Sequence, residues 1–429
     1  MRIQSRGEEE SMYTFAGALK KILFAVAFLG VAGNSMAAGS YISEVGTPGS
    51  LGTAGAANPT NTFGADSAWT NPAGMTGLDE ETIYSGLQVV VPKVEFDVKS
   101  AEFVASGRSL AGDGGGNAGV VAPVPSFFYV KPISERTRLG FSMAAPIGGG
   151  LDFGSNFVGR YAIQEVSLSA VGITPSVGFK VNENLSIGAG VTFLYTALEQ
   201  EIALRQPGES DGVVKFEEFN DWGYQGILSL TYKLSDSVLF GAVYRTKADI
   251  DLEGDIRVEN VLLPQDIKKS ASLSWDNPQW LDLGLRYNVN DRSVLFMSAG
   301  WQDWSNFSEN VFALSDGQVE TLDRNWDDTW YVGIGLAHGL GDSAVSVGIS
   351  YESSPVDDEN RTFDFPVDEM LKLSTSYSWK RGNFGFGLGA TLYLVGDAPI
   401  DQTSQGVRVV GDFDSNVIMF AGGTLSYKF

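Results

Sequence analysis

From residue 81 to the C-terminus the chain alternates apolar with polar or small side chains, run after run. Phe384, Phe386, Leu388, Ala390, Leu392 and Leu394 share one parity against Gly385, Gly387, Gly389 and Thr391. Val417, Met419, Ala421, Leu425, Tyr427 and Phe429 share one face of the final run. Leu185, Ile187, Ala189, Val191, Phe193 and Tyr195, and later Val345, Val347, Ile349 and Tyr351, repeat the pattern. A side-chain period of two belongs to β-strands, so each run presents one greasy face and one polar or small face. The runs predict strands of about 10–14 residues, longer than the ~5–6 usual in globular sheets and suited to a tilted membrane crossing.

The punctuation between runs is of two kinds that alternate strictly. Short turns fall at 134–136, 181–184, 234–236, 289–291, 339–342 and 380–382; longer, acidic, irregular stretches fall near 92–118, 148–163, 198–219, 251–268, 304–326, 354–367 and 395–412. Seven long and six short connections join fourteen strands. An even strand count, with short turns at one rim and long loops at the other, is the pattern of an outer-membrane barrel. Trp222, Tyr224, Tyr232, Tyr287, Trp330, Tyr351, Trp379 and Tyr427 gather near strand ends, where an interfacial girdle sits. The predicted fold is therefore all-β: a 14-stranded antiparallel transmembrane β-barrel with its apolar parity facing lipid.

The first eighty residues differ in kind. Lys20 and Lys21 precede the apolar run 22–31, and Ser35-Met36-Ala37 forms a small-x-small cleavage site, so 1–37 reads as a signal peptide and export is expected. Glu8-Glu9-Glu10 is unusual ahead of such a run, which leaves Met12 beside Met1 as a possible start. Residues 38–80 are rich in Gly, Ala, Thr and Asn, with no sustained period; such a segment cannot build its own core and is either disordered or packed inside something larger. The barrel occupies 81–429.

Composition narrows the chemistry. There is no cysteine and one histidine, His338, which removes thiolate catalysis and Cys- or His-built metal centres. A net charge of −23 opposes nucleic-acid phosphates. Asp357-Asp358-Glu359 and Asp323 with Asp327-Asp328 lack the spacing of a calcium loop, so neither metal nor cofactor is expected. The acidic loops read as solvated outer surface, with lipopolysaccharide bridged by divalent cations as a sharper reading.

Several residues stand out as candidates. Pro146 followed by Gly148, Gly149 and Gly150 either kinks the third strand or merely ends it. Asn71-Pro72-Ala73 caps backbone groups of an internal segment or forms a turn into the first strand. By strand parity Arg138, Arg245, Arg286 and Lys372 face the lumen; Arg138 and Arg286 lie near short turns and read as solvated rim charges. Arg245 and Lys372, with Arg160 in a long loop, are the candidates to meet a carboxylate headgroup. Phe153, Phe157, Leu262, Leu263, Phe307 and Phe312 in the long loops are candidates for first capture of an apolar solute.

Four segments in order carry a family resemblance: Asp66-Ser67-Ala68-Trp69-Thr70-Asn71-Pro72-Ala73-Gly74-Met75; Pro146-Ile147-Gly148 with Gly159-Arg160-Tyr161; Trp301-Gln302-Asp303-Trp304-Ser305-Asn306-Phe307; and Ser354-Pro355-Val356, Asn360-Arg361 and Phe365-Pro366. Together they resemble the FadL/TodX-type outer-membrane transporters of long-chain fatty acids and aromatic hydrocarbons. The resemblance implies an N-terminal plug (hatch) inside a fourteen-strand barrel, with Asn71, Pro72 and Ala73 as the plug motif. It also implies capture of a hydrophobic ligand, lateral release beside a kinked third strand, a Gram-negative outer-membrane location and a monomer. One departure stands out: the third long stretch is acidic (Glu199, Glu201, Glu209, Asp211, Glu217, Glu218) where the resemblance implies an apolar capture groove. Two other functions compete: a diffusion porin or structural and adhesive barrel, and an outer-membrane hydrolase built on His338.

Overall fold

The computed structural model describes residues 44–206, 210–260, 267–414 and 416–429. The signal segment 1–37 and the candidates Leu262 and Leu263 lie outside them. Fourteen antiparallel strands form the wall: β1 (Thr82–Lys93), β2 (Ala122–Pro132), β3 (Thr137–Asp152), β4 (Glu165–Lys180), β5 (Leu185–Leu204), β6 (Gly212–Lys233) and β7 (Val238–Arg245 continued by Ala248–Glu259). The circuit runs on through β8 (Ile267–Asn277 and Trp280–Asn288), β9 (Ser293–Gln302 and Glu309–Leu314), β10 (Val319–Asp323 and Thr329–Gly339), β11 (Ser343–Glu352), β12 (Met370–Arg381), β13 (Phe384–Val395) and β14 (Val417–Lys428). Each strand pairs with its sequence neighbours, and β14 returns to β1 from Val417↔Lys93 to Lys428↔Thr82, which closes the barrel.

The alternation read from the sequence is the wall's inside and outside. Leu388, Val347, Leu228 and Trp222 are exposed on the outer parity, while Thr391, Tyr393, Gln225 and Ser350 of the inner parity are buried. On β6 the exposed Trp222 and Tyr232 stand ten residues apart, about 23 Å of height at a 45° tilt, which matches an apolar band of ~25 Å between two aromatic girdles.

The strands are longer than the 10–14 residues expected: β6 runs for 22. The stretches 198–219 and 251–268, read as irregular loops because of their charge, are largely continuations of β5 to β8 above the apolar band. Their charges pair across strands instead of staying free in solvent. Lys215 reaches Glu201 and Glu259, Arg257 reaches Glu217, and Lys268 reaches Asp255. Cross-strand opposite charges stabilise a ladder as apolar pairs do, so a polar composition did not prevent strand. The stretches after β1 and β13 also carry strand: Asp97–Phe103, Arg108–Ser109, Ile400–Ser404 and Val407–Asp412 form a small separate sheet at the outer end.

Candidate functional site

Residues 44–78 form four short helical turns, Pro48–Leu51, Asn58–Thr60, Ser67–Thr70 and Pro72–Gly77. They bond to inward side chains right round the circuit. Ser376 of β12 donates to Pro48 O (2.9 Å), Thr391 of β13 to Leu51 O (3.0 Å) and Ser176 of β4 to Ala68 O (3.2 Å). Arg286 of β8 donates to Thr62 Oγ1 (2.6 Å) and Arg138 of β3 to Leu78 O (2.5 Å). A segment that touches strands on opposite sides of a closed wall runs through its interior, where irregular backbone is tolerated at membrane depth. The small inward residues make room for it: a Cβ on Gly241 would lie 1.8 Å from Pro59 O, and one on Gly188 2.2 Å from Ala73 N. Arg138 and Arg286 are therefore not solvated rim charges; both are spent on this segment.

Asn71, Pro72 and Ala73 sit at its centre of attachment. The Asn71 side chain accepts from Ala73 N (3.0 Å) and donates to Pro59 O (2.5 Å) and to Leu230 O of β6 (3.3 Å). Ala73 N–H also reaches Ser229 Oγ (3.0 Å). One amide side chain thus ties two turns of the segment to the wall.

The three headgroup candidates are all engaged. Lys372 is buried between Glu352 (3.0 Å) and Glu44 (3.8 Å), and the Tyr393 hydroxyl donates to Glu44. Two carboxylates thus flank one ammonium in this buried cluster. Arg245 lies over the rings of Trp69 (4.5 Å) and Trp280 (5.3 Å) and donates to Trp69 O. In the adjacent register row Tyr331 donates to Asp282 (2.8 Å), with Glu352 opposite Tyr331. Arg160 pairs with Asp211 (3.1 Å), donates to Ala111 O and Phe157 O, and lies over Tyr161. Of the three headgroup candidates, Lys372 and Arg160 are thus paired with carboxylates and Arg245 is covered by indole rings.

The wall is not zipped everywhere. The β2–β3 ladder holds from Pro132↔Arg138 to Phe127↔Met143 and then stops. It resumes in the same register beyond β2, where Val120 N–H meets Gly150 O (3.2 Å), Gly119 bridges Leu151, and Asp152 N–H meets Ala118 O (2.8 Å). Between lies a window of seven residue steps on each strand (120 to 127 and 143 to 150), about 23 Å along the chain. On the β4 side β3 shifts register between Ala144 and Ile147, with Pro146 in the bulge. Gly148, Gly149 and Gly150 pair regularly with Ser169, Leu168 and Ser167, so those glycines do not break the strand on that side.

The sequence carried a second signal for this window that spacing could have exposed. Pro123 and Pro125 stand two apart on β2, so both missing N–H groups belong to one edge. The β1 ladder is intact through this stretch, from Ala122↔Val90 to Ser126↔Gly86, so the edge without donors is the one facing β3. On the inner side of the window a small cavity is lined by Ile147, Gly148, Gly149, Leu151, Val166, Leu168, Asp364 and Phe365.

Above the internal segment, the outer half of the barrel is filled with aromatic side chains. Phe153, Phe157 and Phe307, read as exposed capture residues, are fully buried, and Phe312 packs partly buried against Phe216 and Phe219. Phe153 stacks on Phe157 at 4.4 Å; both meet Phe363, Phe157 also meets Phe96, and Phe153 also meets Phe413. Phe307 meets Trp275, Trp304, Trp326 and Phe365. The loop residues fold inward over the mouth because only there can their apolar area leave water. Across this core Arg324 grips Asp364 with two hydrogen bonds (3.0 and 2.7 Å). Burial alone would raise the Asp364 carboxyl, but the Arg324 charge and hydrogen bonds outweigh it and hold it below its ordinary range. At the loop sheet Asp97, Asp412 and Asp414 bring carboxylate oxygens within 4.8 Å, and Lys99 pairs with Asp412.

Residues 28–429 match the family model described as outer membrane protein transport protein (OMPP1/FadL/TodX). The chain belongs to this family. Outer membrane protein P1 of Haemophilus influenzae is 24% identical over 414 residues, covering 84% of this chain and 89% of that protein. The long-chain fatty acid transport protein of Salmonella typhi is 24% identical over 395 residues, covering 84% and 88%. The crystal structure of a FadL homologue from Pseudomonas aeruginosa superposes with a TM-score of 0.81 at 20% identity, over 92% of this chain and 100% of that one. The toluene transporter TodX of P. putida gives 0.65 at 19% identity, over 85% and 94%. The protein is thus an outer-membrane transport barrel of the FadL/TodX family. The one histidine fits that membership: His338 is paired with Ser293 (2.9 Å) on the lipid-facing parity at the short-turn rim, away from the mouth.

Proposed function

We propose that the protein carries neutral hydrophobic molecules from the outer face into the membrane, releasing them sideways through the β2–β3 window. Residues 44–78 are the plug that closes the straight route to the periplasm. The observation that carries this reading is the window itself. Unpaired strand edges at membrane depth cost several kcal/mol per unsatisfied group, so an interrupted ladder persists only where it has a use. Behind it the cavity lined by Ile147, Leu151, Val166, Leu168 and Phe365 is mainly apolar, with Asp364 at its border held by Arg324. An apolar solute that leaves there never has to enter water.

Neutral solutes fit better than anions. Lys372, Arg245 and Arg160 are already engaged by Glu44 and Glu352, by Trp69 and Trp280, and by Asp211. At Lys372 or Arg160 a carboxylate would have to displace a fixed anion from its partner, which leaves that anion uncompensated, and at Arg245 it would have to displace two indole rings. Relatives are named both as toluene transporters and as long-chain fatty acid transport proteins, so chemistry of the site has to decide between them. The test is uptake by cells lacking the protein and complemented with it. Toluene uptake is expected to be restored, with oleate uptake left near the level of the uncomplemented cells. Equal restoration of oleate would overturn the preference for neutral solutes.

A further inference from the structure

The connection between β11 and β12 contributes two phenyl rings to two separate aromatic cages. Phe363 is enclosed by Phe96 (5.0 Å), Phe157 (5.2 Å), Phe413 (6.3 Å) and Phe153 (6.4 Å). Phe365 is enclosed by Trp326 (5.6 Å), Phe307 (6.0 Å) and Trp275 (6.1 Å), with the Arg324 guanidinium 5.1 Å from its ring centre. The cage residues come from six other parts of the chain, around 96, 153–157, 275, 307, 326 and 413, whereas the occupants come from one short segment. That segment is fastened by polar contacts at its ends. Arg324 holds Asp364 and Thr362, and Arg361, buried, donates to Val367 O (2.7 Å) and Pro399 O (3.1 Å). Phe365 and Asp364 also border the cavity behind the window.

We infer that the Trp275–Phe307–Trp326 cage is an aromatic-ligand site that the protein fills with its own Phe365, and that a ligand ring enters as the 361–366 segment swings out. This rests on the transport reading above and adds a site and a ligand class to it. Edge-to-face contacts at 5–6 Å between rings are what such a cage offers any neutral arene, and they give a phenyl side chain and a toluene molecule the same recognition. Swinging the segment out separates the buried Arg324–Asp364 pair, which strongly favours the closed state, so a ligand ring must make up that difference to hold the cage open. Phe365 then acts as a tethered competitor: ligand affinity is reduced by the fraction of time that the cage is vacated.

The test uses the full-length purified protein in detergent, with toluene as the probe. Binding is read from tryptophan emission, and loop opening from tryptic cleavage after Arg361. Phe365→Ala is expected to bind toluene about tenfold more tightly or better, since open states of this kind are populated at roughly 0.1–10%. In the unaltered protein saturating toluene is expected to accelerate cleavage after Arg361, with the remaining barrel intact on a heat-modifiability gel. Unchanged cleavage overturns the inference even if Phe365→Ala binds more tightly, because an engineered cavity alone binds arenes. Faster cleavage without tighter binding overturns it too, because Phe365 is then no competitor. If cells still take up toluene through the protein, either failure leaves the transport reading standing; loss of that uptake from the unaltered protein sinks the transport reading itself.

Discussion

Replacing Val124 and Pro146 by cysteine and oxidising the pair is expected to abolish toluene uptake, and reduction is expected to restore it. The two positions face each other across the middle of the window, in the register that holds at Phe127↔Met143 below and at Gly119 and Leu151 above. A disulfide needs Cα atoms about 4.4–6.8 Å apart, so its formation pulls the two edges to the spacing of a closed ladder. The chain has no cysteine of its own, which makes the staple the only thiol chemistry present. Uptake should fall to the level of cells lacking the protein, while the folded barrel still migrates as an intact species. Undiminished uptake in the oxidised form would show that solute does not pass between β2 and β3.

Removing residues 44–78 is expected to empty the short-turn half of the barrel and raise its conductance above background, with the aromatic core of the outer half still in place. In planar bilayers the change should run from background current to discrete ohmic steps. The wall should survive, because Ser176, Ser376 and Thr391 lose bonds to this segment that water can replace. Lys372 also keeps Glu352 when Glu44 is gone. A milder variant, Gly241→Leu, places a side chain where Pro59 O now sits and should raise conductance partway by lifting that turn off the wall. Full conductance in the unaltered protein would favour the diffusion-porin alternative.

Much of this architecture was legible in the sequence, and its limits are physical. Parity alone separated Leu388 and Val347 on the lipid face from Thr391 and Ser350 in the lumen, because a period of two admits only two faces. Where charge replaced grease, as at Glu201, Lys215 and Glu259, the same period continued but read as loop; the partners that turn it into strand lie on neighbouring strands, not beside it. Pro146 pointed to β3, yet the window also needs Pro123 and Pro125, whose shared edge emerges only from the spacing of two. The engagement of Lys372 by Glu44 could not be read at all, since it joins positions brought together by barrel closure. Phe153 and Phe157 were placed correctly in a loop and wrongly in water, because burial of a loop depends on what the other loops fold over.

The lateral route is tested most directly by where a ligand touches the wall. A photoreactive diazirine analogue of toluene, activated during uptake and mapped by mass spectrometry, is expected to label Ala145 to Gly149 of β3 and the facing stretch 121–125 at the start of β2. Phe63, which is exposed on the internal segment beside Phe296, should stay unlabelled if solute leaves before crossing that segment. Labelling of Phe63 and its neighbours, with none along β2 and β3, would contradict the lateral route and replace it with passage straight through the barrel.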